Sequence, residues 1–403
     1  MASEMTPSIL EKYAEVLIWG METARSRKYK GGELVLVRFD HPALALAEVL
    51  YDKLVDRGMH TLIRMIPTAR MERSFFHKAG NRQLSFVPPG ETPLMEALNG
   101  SIYLHAPESL THLQDVDPRR IGKALLARKD LRDILVRREE QALYGWTLCA
   151  FPTAEPARRA GLSRRRYAEQ IIRACFLDDP DPLSRWKDVF EEAAAVKKWL
   201  NGMGISSLRV ESAHVDLVIT PGERRKWIGV SGHNIPSFEI FLSPDWRGTR
   251  GVYFADQPSF RSGNYVKGAR LEFNRNGSVK TATAEKGGEF LNKQIRVDAG
   301  ARRVGEFSLT DRRFSPIDRF MANTLFDENY GGRHGNCHLA LGSSYSDTYD
   351  GNPAELTRDM KQSLGFNESA LHWDLVNTED KTVTAHLVSG KRVVIYEKGI
   401  FTC

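Results

Sequence analysis

The sequence lacks several features that would place it quickly in a common functional class. Its 403 residues include four cysteines, which form no Cys-x-x-Cys pair and no short regular spacing. Free thiols in a reducing compartment are therefore expected, rather than a thiolate zinc site. No apolar run approaches the ~18 residues of a membrane-spanning helix. Residues 1–9 contain neither the basic nor the apolar segment of a secretory signal. We expect a cytoplasmic protein with no membrane partner.

Phosphate-binding loops and a strong excess of one charge are also missing. The glycine pairs occur outside the GxxxxGK[ST] and GxGxxG patterns. The 57 basic and 51 acidic residues leave a net charge of +6 on a well-mixed surface. The arginine-rich segment that opens at Asp117-Pro118 is interleaved with acids such as Asp130 and Asp133, and it lacks base-stacking aromatics before Tyr144. We expect a solvated helix face and no nucleic-acid partner; a basic nucleic-acid-associated protein remains an alternative that salt-dependent RNA binding would test.

The first half of the chain alternates strand-like and helix-like runs. Residues 34–39 read as a strand, a helix begins near His41-Pro42 and ends at Gly58, and residues 62–66 read as a second strand. This order predicts a parallel, right-handed crossover. A strand over residues 101–105 and one long helix from Asp117-Pro118 continue the pattern. We predict a layered α/β domain with a parallel sheet.

The second half has a different character. Beyond Asn201-Gly202-Met203-Gly204 the chain consists of short β-like runs, with turn signals such as Asn276-Gly277 between them. A chain of 403 residues is also long for one core, since single cores stop growing near ~250 to 300 residues. We therefore predict an α/β protein with an N-terminal domain over residues 1–203 and a β-rich α+β catalytic domain over residues 204–403.

Histidines and acids on predicted strands are the candidates for chemistry. His372 and Asp374 stand two residues apart, so on a strand they share one face and could bind one metal ion or a close pair of ions. The alternative is a buried histidine bonded to its neighbour. His338 lies in another strand-like run, in which Cys337 would face away from it. A lone histidine in such a run is more often a satisfied core residue than a ligand. Tyr345 follows in a serine-rich turn, where its phenol could reach a cleft or simply pack.

Two further acids lie in apolar surroundings. Glu239 and Glu306 are each flanked by apolar residues on likely strands, where an unpaired charge would be costly. No lysine or arginine on the same strand face supplies the missing cation. A metal ion or an arginine on a neighbouring strand would satisfy them.

These residues occur in five ordered motifs, which resemble those of the dinuclear metalloaminopeptidases of the aminopeptidase T and aminopeptidase S type. The motifs are Asn-x-Pro-x-x-Glu ending at Glu239, Gly-Glu ending at Glu306, Asn-Thr-Leu-Phe-Asp-Glu-Asn from Asn323, His-x-Ala-x-Gly-x-x-Tyr from His338 to Tyr345, and His-x-Asp from His372 to Asp374. The resemblance runs over nearly the whole chain.

The resemblance implies a metal-dependent aminopeptidase that hydrolyses N-terminal residues from short peptides. Its metal ligands fall on Glu239, Glu306, His338, His372 and Asp374, and its catalytic tyrosine on Tyr345. Glu306 is the first choice for the carboxylate that bridges the two divalent ions, and Asp327 and Glu328 are expected to be supporting residues. Zinc, cobalt or manganese would suit the nitrogen and oxygen donors. A homodimer with an internal cavity shared between its domains is also implied.

One departure and two alternatives accompany this resemblance. Residues 330–336 form a longer link than in the commonest members, so the resemblance does not specify the shape of the pocket beside His338. His334 in this link is an additional candidate for substrate contact. A mononuclear iron ring-cleaving dioxygenase from a similar branch would use a His, His, Asp set, but the presence of both Glu239 and Glu306 favours two metals and hydrolysis. Hydrolysis of a non-peptide amide is the other alternative.

Overall fold

The computed structural model describes residues 5–403, and the chain divides into two compact units. One unit contains the chain up to Trp186 together with Ser231–Ser237 and Arg261–Asn264, and the other contains Lys187–Val230, Phe238–Phe260 and Tyr265–Cys403. The change between units therefore falls within a long helix, and two short segments of the second half belong to the first unit. The single boundary at residue 203 stays a prediction.

The helices and strands have the following bounds. The α-helices are α1 (Pro7–Thr23), α2 (Leu44–Asp56), α3 (Ala69–Lys78), α4 (Asn81–Leu84), α5 (Glu91–Ala97), α6 (Pro118–Ala127), α7 (Lys129–Glu140), α8 (Ala154–Arg159), α9 (Arg164–Ala174), α10 (Pro182–Asn201), α11 (Gly288–Gln294), α12 (Thr324–Asp327) and α13 (Arg358–Ser363). Short 3-10 turns cover His41–Ala43, Ser346–Thr348 and Pro353–Glu355. The strands are β1 (Leu34–Phe39), β2 (His60–Met65), β3 (Gly100–His105), β4 (Gly145–Ala150), β5 (Ile205–Glu211), β6 (Asp216–Thr220), β7 (Asn234–Ile235), β8 (Glu239–Leu242), β9 (Asp245–Ala255), β10 (Ser259–Arg261), β11 (Asn264–Val266), β12 (Ala269–Phe273), β13 (Val279–Thr283), β14 (Val304–Thr310), β15 (Asn336–Gly342), β16 (His372–Asn377), β17 (Thr382–Leu387), β18 (Arg392–Glu397) and β19 (Ile400–Phe401).

The first unit is built on a parallel sheet in the order β2-β1-β3-β4-β7. The strands β1 and β2, which precede and follow α2 in the chain, pair in parallel, which confirms the parallel arrangement; the right hand of the crossover stays a prediction. Apolar side chains of the central strands, such as Val35, Val37 and Ile102, are fully buried. Val35, Leu36 and Val37 are consecutive and all buried, so β1 is covered on both faces, which explains its run of apolar residues. The prediction of an α/β layered domain is confirmed.

The single long helix expected from Asp117-Pro118 is wrong, because the chain forms α6 and α7 with a break at Arg128. The two helices pack against different apolar clusters. Ala124 of α6 packs with Phe76 and Leu84, whereas Ile134 of α7 packs with Leu36 and its neighbours. The burial of the two helices in separate clusters accounts for the break between them.

The second unit is rich in antiparallel sheet, as predicted. One sheet has eight strands in the order β13-β12-β9-β6-β5-β17-β18-β19, and the other has four in the order β16-β15-β14-β8. Tyr253 of β9 links them by donating its hydroxyl to the carbonyl oxygens of Cys337 and Leu375, at 3.2 and 2.7 Å. Every residue of β14 and β15 is buried. Polar side chains on these two strands therefore need partners inside the protein.

None of the helices within residues 5–403 is both long enough and apolar enough to cross a membrane.

Candidate metal centre

The four-stranded sheet has one apolar face and one polar face. Strand register pairs Phe307 with Leu339 and Leu339 with Leu375 on the apolar face. Because side chains alternate along a strand, the intervening residues share the opposite face. This polar face carries, strand by strand, His372 and Asp374 of β16, His338 and Ala340 of β15, Glu306 and Ser308 of β14, and Glu239 of β8. Cys337 lies on the apolar side, as expected.

The strand register explains why Glu306 and Asp374, which are far apart in the sequence, lie close together on one face of the sheet. Ala340 is paired with Glu306 on one side and with Asp374 on the other. Its methyl group leaves room between the two carboxylates. A bulkier side chain at this position would project into the same space, because all three residues point the same way.

Glu306 stands at the centre of the candidate site. Its Oε1 lies 3.2 Å from Nε2 of His338, and its Oε2 lies 3.3 Å from Nε2 of His372. Each imidazole also faces a second acid: His338 Nε2 is 3.3 Å from Glu239 Oε2, and His372 Nε2 is 3.3 Å from Asp374 Oδ1. The five side chains thus form two groups, Glu239–Glu306–His338 and Glu306–His372–Asp374, each with donor atoms within 4.8 Å of one another. Glu306 belongs to both.

The donor set fits divalent metal ions. Glu239 and Glu306 are only 6% and 3% exposed, and among the described residues their ion pairs are with histidines rather than with lysine or arginine. Buried carboxylates need a cation. Three carboxylates and two imidazoles are a common ligand chemistry for zinc-like ions. The five residues that were predicted as ligands therefore lie close together, and the ion pairs that the structure shows for Glu239 and Glu306 are with histidines.

The shifted pKa values of Glu239 and His338 also indicate that the site favours positive charge. Desolvation, reinforced by Glu306 and Asp374, raises the pKa of Glu239 to about 8 in spite of His338. Desolvation opposes protonation of His338, yet its hydrogen bond with Glu306 and the charges of the acids raise its pKa to about 9. The raised pKa of His338 indicates that the surrounding acids favour a positive charge beside them. A ligating histidine must instead be neutral.

Neighbouring groups orient two of these side chains. His372 Nδ1 lies 2.9 Å from the carbonyl oxygen of Ser343. An Nδ1–H donated to that oxygen leaves Nε2 with its lone pair directed at Glu306 and Asp374, which is the arrangement typical of metal-ligating histidines. Ser308 Oγ donates to Glu239 Oε2 at 3.5 Å.

Tyr345 lies beside the two groups. Its ring meets the ring of His372 edge to face at a centroid distance of 4.8 Å and lies 5.7 Å from that of Phe241. The residue as a whole is 41% exposed, but desolvation and then the carboxylates, Glu306 first, raise the pKa of its phenol well above the usual value. The hydroxyl therefore remains a hydrogen-bond donor at neutral pH. Its backbone N–H donates to Ser243 Oγ at 2.8 Å.

Asp327 and Glu328 have different environments. Asp327 supports a loop, since its carboxylate accepts the backbone N–H groups of Met321 and Asn323 at 2.6 and 2.9 Å. Glu328 is 8% exposed, and desolvation followed by the charge of Glu239 raises its pKa well above the ordinary value. The sequence did not predict how close Glu328 lies to Glu239, and its supporting role stays a prediction.

His334 belongs to neither ligand group. Its Nδ1 lies 3.4 Å from Asp380 Oδ1, at the link between β16 and β17. The structure thus places this candidate in an ion pair within the described chain.

Comparisons with known proteins agree with this arrangement. The sequence profile of the family described as thermophilic metalloprotease (M29) matches residues 6–401. Aminopeptidase 2 of Geobacillus stearothermophilus is 30% identical over 350 residues, which cover 80% of this chain and 82% of the relative. Aminopeptidase PepS of Streptococcus thermophilus is 25% identical, with 97% of each chain covered. The predicted resemblance is confirmed at the level of the family.

A solved structure shares the fold. Wild-type AmpT from Thermus thermophilus superposes with a TM-score of 0.79 over 98% of this chain and 99% of its own, at 23% sequence identity. The predicted fold class is therefore confirmed. Since the family profile spans nearly all of the chain, and two groups of potential metal ligands lie together on one sheet, the chain belongs to the M29 metalloprotease family and is a metal-dependent exopeptidase.

Proposed function

We propose that this protein is an aminopeptidase that releases N-terminal residues from short peptides, with two divalent ions held on the polar face of the four-stranded sheet. The observation that carries the proposal is the position of Glu306, whose two oxygens face different histidines at 3.2 and 3.3 Å. A carboxylate so placed can be shared between two ions. The names of the relatives, aminopeptidase 2 and aminopeptidase T, support the choice of substrate.

In this proposal Glu239, Glu306 and His338 would hold one ion, and Glu306, His372 and Asp374 would hold the other. Three carboxylates would contribute a charge of −3 against +4 from the ions, so the site would keep a small positive excess. Bound ions of this type lower the pKa of a bound water and polarise a carbonyl group. Zinc, cobalt and manganese suit the nitrogen and oxygen donors, and the ion found after purification depends on supply.

The side chains of the protein have separate tasks. The Ser343 carbonyl fixes the ring of His372, and Ser308 fixes one oxygen of Glu239. Because both acids are buried, they stay where they are needed without solvent competing for them. Tyr345 donates its hydroxyl to the oxygen of the scissile carbonyl as negative charge develops there, a role typically worth about 3 kcal/mol.

Hydrolysis of aminoacyl-p-nitroanilides and of dipeptides, together with elemental analysis, tests the proposal. We expect release of the N-terminal residue and two divalent ions per chain. A peptide with an acetylated N-terminus should resist hydrolysis, because an exopeptidase of this kind requires the free amine. One iron per chain with oxygen consumption would instead indicate the dioxygenase, and cleavage restricted to other amides would indicate the non-peptide amidase.

We also propose that the protein is a homodimer. Strand β2 is at the edge of the parallel sheet and, unlike the central strands, exposes Leu62, Ile63 and Met65 by 39–45%. Exposed apolar edge strands are usually covered by another chain or another element. Light scattering should give twice the chain mass of 45.5 kDa, and Ile63→Lys should shift the protein towards the monomer; a monomeric wild type would contradict the proposal.

The cysteines bear on the compartment. Cys149, Cys175, Cys337 and Cys403 are all free, which supports our proposal of a reducing, cytoplasmic environment.

A further inference from the structure

The turn that follows β15 carries two groups of the candidate site. The carbonyl oxygen of Ser343 lies 2.9 Å from Nδ1 of His372, and the ring of Tyr345 contacts the same imidazole. The regular pairing of β15 with β16 ends at Gly342, which is paired with His372. The direction of the Ser343 carbonyl is therefore set by contacts outside the sheet ladder.

Asn367 supplies most of these contacts. The residue is 2% exposed, and its Nδ2 donates to the carbonyl oxygens of Gly342 and Gly300 at 2.5 and 2.8 Å. An amide nitrogen carries two hydrogens, so each of them is used once. The backbone N–H of Asn367 donates to Ser344 Oγ at 2.9 Å, and its carbonyl oxygen accepts the Ser344 N–H at 2.8 Å. One buried residue thus ties the turn to itself and to Gly300.

These bonds fix two consecutive peptide planes. In the first plane, the Gly342 carbonyl accepts from Asn367. The N–H of the same plane donates to the Leu371 carbonyl at 2.7 Å. In the second plane, the Ser344 N–H donates to the Asn367 carbonyl, and the Ser343 carbonyl points the other way, towards the imidazole. Because the C=O and N–H of a trans peptide unit lie in one plane, holding the N–H also directs the carbonyl.

The Ser343 carbonyl is also confined from the side of β14. A Cβ atom at Gly305 would lie 2.3 Å from this oxygen, so glycine leaves the room that the oxygen needs. Gly305 directly precedes Glu306, which belongs to both ligand groups. The carbonyl oxygen therefore contacts the backbone of β14 as well as the ring of His372.

We propose that Asn367 is a positioning residue of the metal centre, which holds the Ser343 carbonyl and, through it, the ring of His372. A histidine ligand is oriented by the partner of its other ring nitrogen, and here the direction of that partner depends on Asn367. Asn367 lies outside the five motifs that contain the ligands. The inference rests on the proposed function, because it takes His372 as a ligand.

Calorimetric titration of the metal-free protein with zinc tests the inference. Asn367→Ala removes both bonds donated by the side chain and keeps the backbone bonds, and Asn367→Asp removes the same donors at nearly constant volume. We expect one of the two zinc ions to bind at least about tenfold more weakly in both variants, since loss of an outer partner of a metal-ligating histidine typically costs about 10- to 100-fold in affinity. The other ion should keep its wild-type affinity, because the group Glu239–Glu306–His338 does not include His372.

Asn377→Ala is the matched control. Asn377 is fully buried at the opposite end of β16 from His372, and its Nδ2 also donates twice, to the Phe254 carbonyl at 2.9 Å and to Glu379 Oε2 at 3.1 Å. Both asparagines have an Oδ1 without a hydrogen-bond partner among residues 5–403. Asn377→Ala should lower the melting temperature, as Asn367→Ala does, while both zinc affinities stay at the wild-type level. The same loss of zinc in this control would overturn the inference.

The substitution His372→Ala provides a second check. In its absence of an imidazole, the remaining zinc ion should bind equally tightly whether residue 367 is asparagine or alanine. A further loss of about tenfold on adding Asn367→Ala, the size expected for an outer partner of a ligand, would show that Asn367 acts by another route and would overturn the inference.

Peptide hydrolysis by the wild type separates this inference from the proposed function. Unchanged zinc affinities in Asn367→Ala, together with hydrolysis of peptides by the wild type, would overturn the role of Asn367 and leave the aminopeptidase proposal intact. The expected selective loss of one zinc ion, together with a wild type that hydrolyses no peptide, would support the role of Asn367 and reject the proposed function.

Discussion

Replacing Tyr345 by phenylalanine removes one hydroxyl group and keeps the ring. The ring contacts His372 and Phe241 at centroid distances of 4.8 and 5.7 Å, and phenylalanine can retain both contacts. We therefore expect little change in folding stability and two bound ions in the variant. What disappears is a protonated donor beside the carboxylates, whose pKa is raised well above that of an ordinary tyrosine by desolvation and by their charge.

The expected loss lies at the lower end of the range for such donors. Removal of one oxyanion donor typically lowers kcat by about 10² to 10³. Because Tyr345 is 41% exposed, water can partly replace its hydroxyl, and we expect a loss near 100-fold, which corresponds to about 2.7 kcal/mol. The value of KM should change by less than about threefold, since the interaction forms mainly in the transition state.

Steady-state kinetics with leucine p-nitroanilide, metal analysis and thermal melting together test this reasoning. Tyr349→Phe is the control, because Tyr349 lies four residues after Tyr345 and the substitution likewise removes only a phenol hydroxyl. The ring of Tyr349 is buried and packs on Phe366 at a centroid distance of 6.5 Å. The kcat of this control should remain close to the wild-type value. A Tyr345→Phe variant with kcat within about threefold of wild type would refute the assigned role, and loss of metal from that variant would make the hydroxyl a structural group instead.

Three further substitutions test the site and the core. Glu306→Ala should reduce metal content from two ions per chain to fewer than one, measured by elemental analysis after dialysis, because Glu306 belongs to both ligand groups; retention of two ions would exclude it as the bridge. Ala340→Leu should also lower metal content, whereas Ala385→Leu, a control at another fully buried strand position, should affect melting more than metal stoichiometry; the same metal loss in both would contradict the steric argument. Lys381→Met should raise the unfolding free energy at pH 7 by about 1 to 3 kcal/mol in urea titrations, because Lys381 is 2% exposed and its Nζ has no hydrogen-bond partner among residues 5–403. Desolvation lowers the pKa of Lys381, so the gain should shrink as the pH rises through that lowered value towards the ordinary pKa of lysine. Lys197→Met should not share the gain, since Lys197 Nζ donates to the Gly229 carbonyl at 2.7 Å; an equal effect of both substitutions would contradict the explanation.

The site shows how far local patterns reach. The spacing of His372 and Asp374 predicts a shared strand face because alternation is a property of the strand itself, and the two residues do lie on one face of β16. Glu239 and Glu306 were predicted to need a cation because an unpaired charge in an apolar environment is costly. The resemblance of the motifs then supplied the set of five, which the sheet brings together.

The break between α6 and α7 was beyond such reasoning. Both helices carry charged residues at similar spacing, so the pattern alone continued through Arg128. The break follows from burial of Ala124 and Ile134 in two different clusters, and the partners in those clusters come from remote parts of the chain. The proximity of Glu328 to Glu239 and Asp374 was not predicted for a similar reason, because it depends on the tertiary fold.

By itself, the sequence determined the family, the α/β and β-rich halves and the residue types at the candidate centre. Motifs and strand alternation depend only on residues that are close together in the sequence. Only the tertiary structure decided which strands are neighbours. The order β16-β15-β14-β8 and its register place Ala340 between Glu306 and Asp374 and direct the two oxygens of Glu306 to different histidines. Strand order and register depend on packing between distant segments, and no local pattern specifies them.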